Sequence, residues 1–577
     1  MLTAPFVLLD DASAGGAPPR LYRDPVRIVR ADMPAQVLPA LEALRAACAE
    51  GLHAAGYLTY EAGEALAARP VGMAAVGPLL WFGLFRGYQS PADVAALLPN
   101  PAGARAGPPQ PVLDAAEYDT AFARVSQLIA AGDIYQANLT FAATIPFVGD
   151  PFALYAGLRA QSCAGYGALI DTGEHRFLSL SPELFFALDG DTLTCRPMKG
   201  TAARGDTPDE DRALAAALAA DPKQRAENLM IVDLMRNDMS RVARHVAVPD
   251  LFTVETYPTV HQMTSTITAT LEDGRDSIDV IAALFPCGSI TGAPKQRAME
   301  VIAEVERARP RGLYTGAIGY LDPNGDAMFN VAIRTLTVDG ATAVMGLGSG
   351  IVADSDAGEE RRECLAKAAF VTAGQRAIDL IETMAFDPEA GIPLLERHLA
   401  RMKASADTLG LAFDRHAARN ELQAATFRLR SPKRIRLLLA ASGALAIEVG
   451  SVPVSPALAQ VAIVPLPVAA SDYRLRHKTS DRGFYDAARA AAGTFEVLFE
   501  DSDGCLTEGS FTSLFVPRGD TLVTPPAGAL LPGVLRAELL ETGRAIQGRL
   551  TRADLTHGFR IGNALRGLIP AVVAVAK

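Results

Sequence analysis

The segment FPCGSITGAPKQRAME (residues 285–300) joins a glycine-containing turn to the start of a helix, and β-rich and helical runs alternate on both sides of it. Closely spaced glycines at such a position let backbone N–H groups approach an anion, although an ordinary tight turn has the same composition. The β-rich runs are HRFLSLS, LFFALDGDTLTC, HQMTSTITATL and AMFNVAIRTLTV, and the helical runs are ENLMIVDLMRNDMSRVARH, PKQRAMEVIAEVERA and GEERRECLAKAAFVTAG. This alternation, without a repeat of 20–50 residues, predicts a large body of the α/β or α+β class.

The bulk composition limits the kinds of protein that this chain can be. At about 150 residues per domain, its 577 residues predict three or four lobes. No window reaches the ~18 consecutive apolar residues of a membrane-spanning helix, and the N-terminus lacks the basic flank of a signal peptide. The net charge of −11 disfavours nucleic-acid binding. The six cysteines are scattered without close pairs, which argues against a zinc site or a disulfide framework and favours a reducing compartment. We therefore expect a cytoplasmic protein that acts on small molecules, with no nucleic-acid or membrane partner.

Two changes in composition suggest domain boundaries. Proline and glycine are dense in LPNPAGARAGPPQPVL (residues 98–113), which predicts a linker or surface excursion. Near Ile378 a new unit begins with DLIETMAF, a turn at DPEAG and the helical run LLERHLARMKASADTLG. The predicted organisation is an N-terminal lobe (1–97), the linker (98–113), a catalytic domain (114–375) and a C-terminal domain (376–577).

Acidic residues on two predicted helices form a first candidate site. Glu227 begins one amphipathic helix, and on a later helix Glu360, Glu363 and Lys367 share a face at spacings of three and four residues. A solvated ion pair between Glu363 and Lys367 is a sufficient explanation of that spacing. The functional alternative is that carboxylates from both helices bind magnesium, which takes one or two carboxylates together with substrate oxygens.

Two more glycine-rich stretches, GLYTGAIGY and GLGSGIVADSD, lie beside predicted strands. Arg334 ends the β-rich run FNVAIRT. Together with the segment at 285–300, these stretches suggest a pocket for a carboxylate-bearing ligand, in which Arg334 would be a bidentate partner. Ordinary tight turns are the alternative for each stretch taken alone.

Eight motifs follow one another in a distinctive order: GDIYQANLT, SPELFF, RPMKGT, ENLMIVDLMRNDMSRV, CGSITGAPKQRAMEVI, GLYTGAIGY, FNVAIRT and GLGSGIVADSD. In order and spacing this region, about residues 115–370, resembles the chorismate-utilising enzymes. That family includes anthranilate synthase, aminodeoxychorismate synthase, isochorismate synthase and salicylate synthase. The resemblance implies a two-sheet α/β (α+β) body with chorismate as substrate and magnesium as cofactor.

The resemblance also implies roles for individual residues. Glu227 and Glu363 are the expected magnesium ligands, with Glu360 as a further ligand or a neighbour of the metal. Glu183 is the expected general acid that helps the ring hydroxyl to leave. The expected substrate contacts are His261, Thr291, Tyr314, Arg334, Ser349, Gly350 and Lys367.

Lys199 distinguishes members within this family. Its motif, PMKGT, resembles the PIKGT of aminodeoxychorismate synthase component I, whereas anthranilate synthases typically have alanine at the lysine position. The resemblance implies that Lys199 attacks ring carbon 2, expels the hydroxyl at carbon 4, and is displaced when ammonia adds at carbon 4. A carboxylate-binding role without covalent chemistry is the alternative. The sequence has no glutaminase signature, so ammonia is expected from a separate glutamine amidotransferase subunit or from solution.

A second group of motifs centres on Lys478. This lysine lies among polar and cationic neighbours in HKTSDR, where a solvated side chain is the simple interpretation. Glu508 in LTEGSF precedes a β-rich run, where a capping role is sufficient. In LLPGVLR a helix starts just after Pro532 and Gly533, and a helix N-terminus is suited to binding an anion.

These motifs resemble the fold-type IV pyridoxal-phosphate enzymes, the family of branched-chain aminotransferase and aminodeoxychorismate lyase. The matching stretches are IETM, RHLARMKASADTLG, HKTSDRGFYD, LTEGSFTSLFV, LLPGVLR and GNALRG. By this resemblance Lys478 binds pyridoxal 5'-phosphate covalently and shuttles protons, and Glu508 contacts the pyridine nitrogen. Arg401 and the backbone of Gly533 and Val534 are the expected phosphate contacts.

The C-terminal unit departs from the fold-type IV pattern in its length and at individual residues. The C-terminal unit has only about 200 residues and lacks the strand and the YGDG-type segment that usually precede the ET pair. Leu535 and Ser513 stand where threonine and asparagine are common. We expect the first domain to supply the missing entry segment, and we expect that any homodimer forms through the C-terminal domain.

The two resemblances imply consecutive steps of one route. Chorismate and ammonia would give 4-amino-4-deoxychorismate, and elimination of pyruvate would then give 4-aminobenzoate for folate. One alternative is an anthranilate synthase component I fused to a general class IV aminotransferase, which Lys199 argues against. The other is an active synthase with a C-terminal domain that only mediates assembly.

Overall fold

The structure is a computed structural model of this chain and describes residues 2–67, 69, 72, 77–257, 260–306 and 309–574. The chain divides into two compact units. Unit 1 comprises Met1–Leu98, Pro108–Ile145 and Tyr155–Gly374, and unit 2 comprises Pro99–Gly107, Pro146–Leu154 and Gln375–Lys577. The stretch predicted as a linker is therefore shared between the units, and unit 2 is assembled from three separate stretches of chain.

The described residues before 375 form nine α-helices and twenty strands. The helices are α1 (Pro34–Ala49), α2 (Gly63–Leu66), α3 (Ala115–Ala130), α4 (Pro151–Ser162), α5 (Pro208–Ala220), α6 (Pro222–Met239), α7 (Ser277–Leu284), α8 (Lys295–Val305) and α9 (Ala357–Ala368). The strands are β1 (Phe6–Asp10), β2 (Arg20–Arg23), β3 (Arg27–Ala31), β4 (His53–Leu58), β5 (Leu80–Phe85), β6 (Arg105–Ala106), β7 (Gln110–Pro111), β8 (Gln136–Val148), β9 (Tyr166–Asp171), β10 (Arg176–Ser181), β11 (Leu184–Asp189), β12 (Thr192–Arg196), β13 (Met198–Ala203), β14 (Ala243–Thr256), β15 (Val260–Leu271), β16 (Gly292–Ala293), β17 (Ala317–Leu321), β18 (Ala327–Val331), β19 (Thr335–Asp339) and β20 (Thr342–Ile351).

Unit 1 is built on two sheets. The first has the order β16-β8-β20-β19-β10-β9-β1-β2, and the second has the order β13-β15-β12-β11-β18-β17-β4-β5-β3, with β14 beside β15. Val7 and Ile170 of the first sheet pack in one apolar cluster with Tyr57 and Trp81 of the second. Burying apolar residues from both sheets in a shared core stabilises their face-to-face packing. The expected two-sheet α/β (α+β) body is confirmed.

Helices cover the outer faces of the two sheets and carry several of the predicted site residues. Helix α6 packs on β13 and β15, whereas α3 and α9 pack on β20. The helix predicted from PKQRAMEVIAEVERA is observed as α8, and the last two residues of that prediction, 307 and 308, lie outside the described residues. Within the described ranges, no helix combines the length and the apolar composition that crossing a bilayer requires.

After residue 374 the described chain forms four further helices and eleven strands. The helices are α10 (Leu395–Leu409), α11 (Arg415–Thr426), α12 (Gly483–Ala492) and α13 (Val534–Glu541). The strands are β21 (Leu380–Phe386), β22 (Lys433–Leu439), β23 (Leu445–Gly450), β24 (Ala459–Pro465), β25 (Glu496–Glu500), β26 (Leu506–Gly509), β27 (Ser513–Arg518), β28 (Thr521–Thr524), β29 (Ala545–Gln547), β30 (Phe559–Asn563) and β31 (Gly567–Val573).

Unit 2 has a small sheet and a large one. The small sheet has the order β21-β22-β23, and the large sheet has the order β26-β25-β24-β31-β30-β27-β28-β29. Residues alternate between the two faces of β21. Met384 and Phe386 pack with Leu399 and Met402 of α10 on one face, whereas Thr383 on the other face accepts a hydrogen bond from Lys478. The small sheet therefore separates an apolar core from a candidate site.

The stretch Pro99–Gly107 is held to the rest of unit 2 by hydrogen bonds. The guanidinium of Arg105 donates to the carbonyl of Arg376 over 2.8 Å. The side-chain amide of Gln375 bonds in both directions with the backbone of Ala106, over 3.2 and 3.1 Å. This stretch adds no strand to the small sheet within the described residues, where β21 remains an edge strand. Its short strand β6 pairs instead with β8, at Val148 and Phe147. That the first domain supplies the missing entry segment stays a prediction.

Candidate active sites

The side chain of Lys199 lies close to two other residues of unit 1, Gly350 and Gln136. Lys199 lies on β13, and Gly350 lies on β20. A Cβ atom placed on Gly350 would lie 2.6 Å from Lys199 Nζ and 2.8 Å from Gln136 Nε2. Side-chain atoms do not approach so closely, so glycine is required here for the ammonium and the amide to share the space. The structure brings Lys199 and Gly350 together as predicted substrate-site residues.

Gln136 was missed by the sequence analysis, although it lies within the motif GDIYQANLT. Its side chain is fully buried, and neither the amide nitrogen nor the amide oxygen has a hydrogen-bond partner among the described residues. Buried amides are nearly always hydrogen-bonded, because an unpaired one costs about 1–3 kcal/mol. An unpaired amide beside Lys199 Nζ therefore marks a place where a polar ligand completes the site.

Glu183 lies between β10 and β11 and is only 3% exposed. Its Oε1 atom accepts a hydrogen bond of 2.7 Å from the hydroxyl of Ser289. Burial raises the pKa of Glu183 to about 7, against the opposing effects of Ser289, the Met198 N–H and the charge of Lys199. A substantial fraction of a carboxyl group with this pKa is protonated at neutral pH, which a general acid requires. Ser289, within the segment at 285–300, was not assigned a role from the sequence.

The three carboxylates predicted as magnesium ligands have separate partners. Glu227 Oε2 lies 3.8 Å from Lys199 Nζ, and Glu363 Oε1 lies 2.8 Å from Lys367 Nζ. Glu360 accepts a hydrogen bond of 2.7 Å from Ser355. The ion pair between Glu363 and Lys367 is the one that the simpler interpretation of their spacing predicted.

The donor set nevertheless fits a hard cation. Burial raises the pKa of Glu227, and the negative charges of Glu360 and Glu363 raise it further, so all three lie within electrostatic reach of one another. No three acidic, histidine or cysteine side chains converge on one point in the described part of the chain. Magnesium does not require three, because one or two carboxylates together with substrate oxygens satisfy it.

Arg334 is an unusual residue in two respects. Its φ angle is +49°, in the left-handed region that L-residues rarely adopt. Burial lowers the pKa of its guanidinium, and in the described part of the chain no carboxylate forms an ion pair with it. A desolvated guanidinium without a counter-ion is suited to bidentate binding of a carboxylate, in agreement with the predicted role.

Other predicted substrate contacts are engaged by protein groups. His261 is 1% exposed, and its two ring nitrogens lie 2.9 Å from Asp211 Oδ1 and 3.0 Å from Thr256 Oγ1. The hydroxyl of Thr291 donates to the carbonyl of Cys287. In the structure, protein groups thus contact both ring nitrogens of His261 and accept the hydrogen bond of the Thr291 hydroxyl. The roles of these two residues as substrate contacts stay predictions.

Three more predicted contacts surround β20. Successive strand residues point to opposite faces, and Gly350 takes the face toward Lys199. The Ser349 hydroxyl therefore lies on the other face, beside Tyr118 and Cys364. Lys367 Nζ donates to the Gly348 carbonyl over 2.9 Å. The ring of Tyr314 packs against Gly346, beside a cavity of about 250 Å³. Their roles as substrate contacts also stay predictions.

In unit 2, Lys478 is not the solvated lysine of the simpler interpretation. Its ammonium donates to the Thr383 hydroxyl over 3.1 Å, and its carbonyl accepts from the Ile381 N–H over 2.8 Å. Burial lowers the pKa of Lys478 to about 7, and the nearby charge of Arg401 lowers it too. A substantial fraction of the side chain is thus an uncharged amine at neutral pH, which a nucleophile or proton acceptor must be.

Glu508, on β26, is 5% exposed. Its two oxygens accept hydrogen bonds from the Tyr485 hydroxyl over 2.6 Å and from the Leu531 N–H over 3.0 Å. Burial raises the pKa of Glu508 to about 7, against the opposing effects of these two bonds. A buried carboxyl group held by two donors has a fixed orientation, which suits the predicted contact with a ring nitrogen.

The predicted phosphate contacts meet at the start of α13. Arg401 donates to both oxygens of Glu382 over 2.8 and 2.7 Å and to the carbonyl of Pro532 over 3.1 Å. Gly533 precedes the helix and gives it no side-chain cap, so the N–H groups that begin with Val534 are not capped by a side chain. A Cβ atom on Gly533 would lie 2.7 Å from the Ser513 hydroxyl, so this turn has no room for a side chain.

These groups fit pyridoxal phosphate. An arginine beside an uncapped helix N-terminus can bind a phosphate, and the lysine and the buried carboxyl group are the two further contacts that the cofactor needs. Among the residues that sequence reasoning passed over, Arg482 stands out. It follows Lys478 by four positions, and one of its terminal nitrogens is buried without a partner in the described ranges.

Comparisons with known proteins agree with this geometry. The family model for chorismate binding enzymes matches residues 5–373, which is more than half of the chain. The chain belongs to the chorismate binding enzyme family. The family model for class IV amino-transferases matches residues 379–573, which contain Lys478, Glu508 and the start of α13.

Relatives from two subgroups of the chorismate binding family match similar portions of the chain. "Aminodeoxychorismate synthase component 1" of Bacillus subtilis is 42% identical over 267 residues, which are 46% of this chain and 56% of the relative. "Anthranilate synthase component 1" of Haloferax volcanii is 40% identical over 269 residues, which are 46% of this chain and 51% of the relative. The chain thus spans only about half the length of these curated relatives.

A solved structure matches the fold of unit 1. Anthranilate synthase component I from Streptococcus pneumoniae has a TM-score of 0.53 and 25% sequence identity, and the match covers 64% of this chain and 93% of that one. The chorismate binding family therefore accounts for the two-sheet body. The match to this family does not distinguish one chorismate chemistry from another.

Proposed function

We propose that this protein makes 4-aminobenzoate in two steps. Unit 1 would convert chorismate and ammonia to 4-amino-4-deoxychorismate, and unit 2 would eliminate pyruvate from that intermediate. The observation that carries the proposal is the position of Lys199 Nζ beside Gly350 and the unpaired amide of Gln136. Anthranilate synthases typically have alanine at the position of Lys199, so this amine favours amination at carbon 4.

In the first step Lys199 acts as the nucleophile. Its amine attacks ring carbon 2 of chorismate, the ring double bonds shift, and the hydroxyl at carbon 4 leaves. Glu183 donates the proton that turns this hydroxyl into water, because its raised pKa leaves a substantial fraction of it protonated at neutral pH. Ammonia then adds at carbon 4, the double bonds shift back, and the bond from carbon 2 to Lys199 breaks. The proton that the added nitrogen loses returns to Glu183, which restores the acid. The sum is chorismate plus ammonia giving 4-amino-4-deoxychorismate plus water.

The surrounding residues would hold the reactants in place. Arg334 has no protein counter-ion within the described residues, so its guanidinium is available for a chorismate carboxylate. The unpaired amide of Gln136 shares the space at Gly350 with Lys199 Nζ, and its oxygen could accept a hydrogen bond from the incoming ammonia. These two groups supply orientation without taking part in bond making.

Magnesium would be held by Glu227 and Glu363, with Glu360 as a third ligand or a neighbour. When bound, the ion would neutralise substrate carboxylate charge in a site that already carries three carboxylates. The electrostatic repulsion that Glu360 and Glu363 exert on Glu227 supports this assignment, since a cation among them would relieve it.

The ammonia would come from a separate glutamine amidotransferase subunit or from solution. A glutaminase of the cysteine type needs an activated thiol. Burial instead raises the pKa of the thiols of Cys48, Cys195, Cys287 and Cys364, to about 12 for Cys287. These four thiols are poor nucleophiles, which supports an external source of ammonia.

In the second step Lys478 would move the protons. Bound pyridoxal phosphate would withdraw electrons from the ring carbon that bears the amine, with Glu508 at its pyridine nitrogen and Arg401, Gly533 and Val534 at its phosphate. Lys478 removes the proton from ring carbon 4 and returns one to the departing enolpyruvyl carbon. The products are 4-aminobenzoate and pyruvate, which together account for every atom of the intermediate.

Product analysis tests the proposal. The purified protein, loaded with pyridoxal phosphate, is incubated with chorismate, ammonium and magnesium, and the products are separated by liquid chromatography with mass detection. We expect equal amounts of 4-aminobenzoate and pyruvate. Anthranilate as the main product would overturn the first step, and 4-amino-4-deoxychorismate without 4-aminobenzoate would overturn the second.

A further inference from the structure

Three arginines place positive charge around the ammonium of Lys478. After burial, which is the largest cause, the charges of Arg401, Arg482 and Arg436 each lower the pKa of Lys478, whereas Glu382 raises it. All three guanidinium groups are therefore within electrostatic reach of the lysine. A site with this excess of positive charge is built for an anion.

Two of these arginines already have carboxylate partners. Arg401 forms a bidentate pair with Glu382, with distances of 2.8 and 2.7 Å. Arg436 donates to Glu448 over 3.4 Å. Arg482 forms no ion pair with any acidic side chain in the described part of the chain, although its immediate neighbour Asp481 pairs with Arg376 and Arg474.

The guanidinium of Arg482 is nevertheless held in a fixed place. It stacks over the ring of Tyr485 at 4.4 Å, and one terminal nitrogen donates to the carbonyl of Ser510 over 3.1 Å. Tyr485 in turn donates to Glu508, whose charge interacts with that of Arg482. Arg482 is thus anchored by Tyr485 and Ser510 within electrostatic reach of both Lys478 and Glu508.

The other terminal nitrogen of Arg482 is buried and has no hydrogen-bond partner among the described residues. A buried guanidinium nitrogen is costly to leave unpaired, and the cost is removed when an anion accepts its hydrogen bonds. Ordering by Tyr485 and Ser510 also reduces the entropy that the side chain loses when a ligand arrives. The free N–H groups of Arg482 are therefore donors that are already positioned for an anion.

We propose that Arg482 binds the ring carboxylate of the substrate in unit 2, the carboxylate that 4-amino-4-deoxychorismate and 4-aminobenzoate share. This inference rests on the function proposed for unit 2. The phosphate of the cofactor is assigned to Arg401 and the start of α13, which leaves the two carboxylates of the substrate for Arg482. We assign the ring carboxylate, because it stays on the product after the enolpyruvyl carboxylate has left with pyruvate. A planar guanidinium matches a planar carboxylate through two parallel hydrogen bonds.

Direct binding tests this assignment without measuring turnover. Calorimetric titration of the protein loaded with pyridoxal phosphate compares 4-aminobenzoate with its neutral analogue 4-aminobenzamide. We expect the wild-type protein to prefer the carboxylate, and we expect Arg482→Gln to reduce that preference about 10- to 100-fold while leaving amide binding unchanged. Arg482→Lys should keep part of the preference, because it retains the charge and loses the fork.

Two comparison variants sharpen the result. Arg415→Gln removes an exposed arginine of α11 that pairs with Glu396, and it should leave the preference unchanged. Arg436→Gln tests the competing guanidinium on β22. A preference that survives in Arg482→Gln, or that is lost only in Arg436→Gln, overturns the proposal. So does loss of the visible absorbance of the cofactor in Arg482→Gln, because the arginine would then hold the cofactor itself.

The inference and the function on which it rests fail in different ways. A wild-type protein that binds 4-aminobenzoate through Arg482 but makes none would contradict the lyase function alone. A protein that makes 4-aminobenzoate, with a carboxylate preference that does not depend on residue 482, would contradict the role of Arg482 alone. Absence of any carboxylate preference in the wild-type protein would also overturn the role of Arg482.

Discussion

The candidate sites of unit 1 and unit 2 use the same pair of side chains in different surroundings. Each has a lysine and a buried carboxyl group whose pKa burial raises to about 7, Glu183 in one and Glu508 in the other. Lys199 has a carboxylate 3.8 Å away, whereas three arginine charges reach Lys478. The charged side chains around each lysine, and not the pKa of the carboxyl group, therefore distinguish the two sites. The first is suited to a cation and chorismate, and the second to an anionic cofactor.

The sharpest test of this comparison removes each lysine in turn. We expect Lys199→Ala to lower the rate of 4-amino-4-deoxychorismate formation by about 10³-fold or more, because a covalent nucleophile is lost. A trace of product aminated at carbon 2 would then become visible. Chorismate consumption is followed by chromatography, and Arg236→Ala, an exposed cation of α6 that pairs with Asp233, serves as the control. Near-normal turnover would leave Lys199 with the carboxylate-binding role only.

Lys478→Ala removes the corresponding lysine of unit 2. We expect chorismate consumption to continue and 4-aminobenzoate formation to fall by about 10³-fold or more, because the proton carrier is gone. 4-Amino-4-deoxychorismate should accumulate and be detected by mass. Lys403→Ala, an exposed lysine paired with Asp407 on α10, is the matched control. If 4-aminobenzoate appears at the parental rate, unit 2 is not the lyase and the assembly role takes its place.

A smaller effect is expected from the carboxylates that distinguish the first site from the second. Glu227→Gln and Glu363→Gln should each raise the magnesium concentration for half-maximal synthase rate about tenfold or more, since a ligand charge is lost at constant size. Initial rates measured across a magnesium titration check this. Glu359→Gln, an exposed neighbour on α9, should titrate like the parent. Parental titration curves in all three variants would contradict the ligand assignment.

The smallest effect concerns the acid of unit 1. Glu183 must be protonated to act, so the synthase rate should fall as pH rises through about 7, at a fixed concentration of uncharged ammonia. The Ser289 hydroxyl favours the ionised form, so Ser289→Ala should move this fall upward by about one pH unit or less. Ser240→Ala, at the exposed end of α6, is the control. A downward shift would show that Ser289 does not donate to Glu183.

Much of the fold followed from local sequence. LFFALDGDTLTC became the hairpin of β11 and β12, and the helix predicted from LLERHLARMKASADTLG is α10, which ends at Gly410 with a φ angle of +71°. Alternation and a terminal glycine act over a few residues, so they are visible in the sequence. The assignment of Pro99–Gly107 to unit 2 was not, because it depends on partners such as Arg376 that are distant in sequence.

The sites were predictable to the extent that motifs named their residues. Lys199 and Gly350 do meet, but Gln136 lies in a motif whose role was not assigned. A glutamine on a buried strand carries no local sign that its amide is unpaired. Arg482 was taken as one of the polar neighbours of a solvated lysine, because sequence cannot show which charges lack a counter-ion. Such pairing is decided only when distant strands come together.

The three-part make-up of unit 2 has a genetic consequence. Two short pieces of it, Pro99–Gly107 and Pro146–Leu154, are encoded within the first half of the reading frame. If the gene were divided after codon 374, these two pieces would be translated together with unit 1. The downstream gene would then encode a class IV unit that lacks them. A division of the gene that keeps unit 2 whole would have to supply the two interleaved pieces to the downstream product.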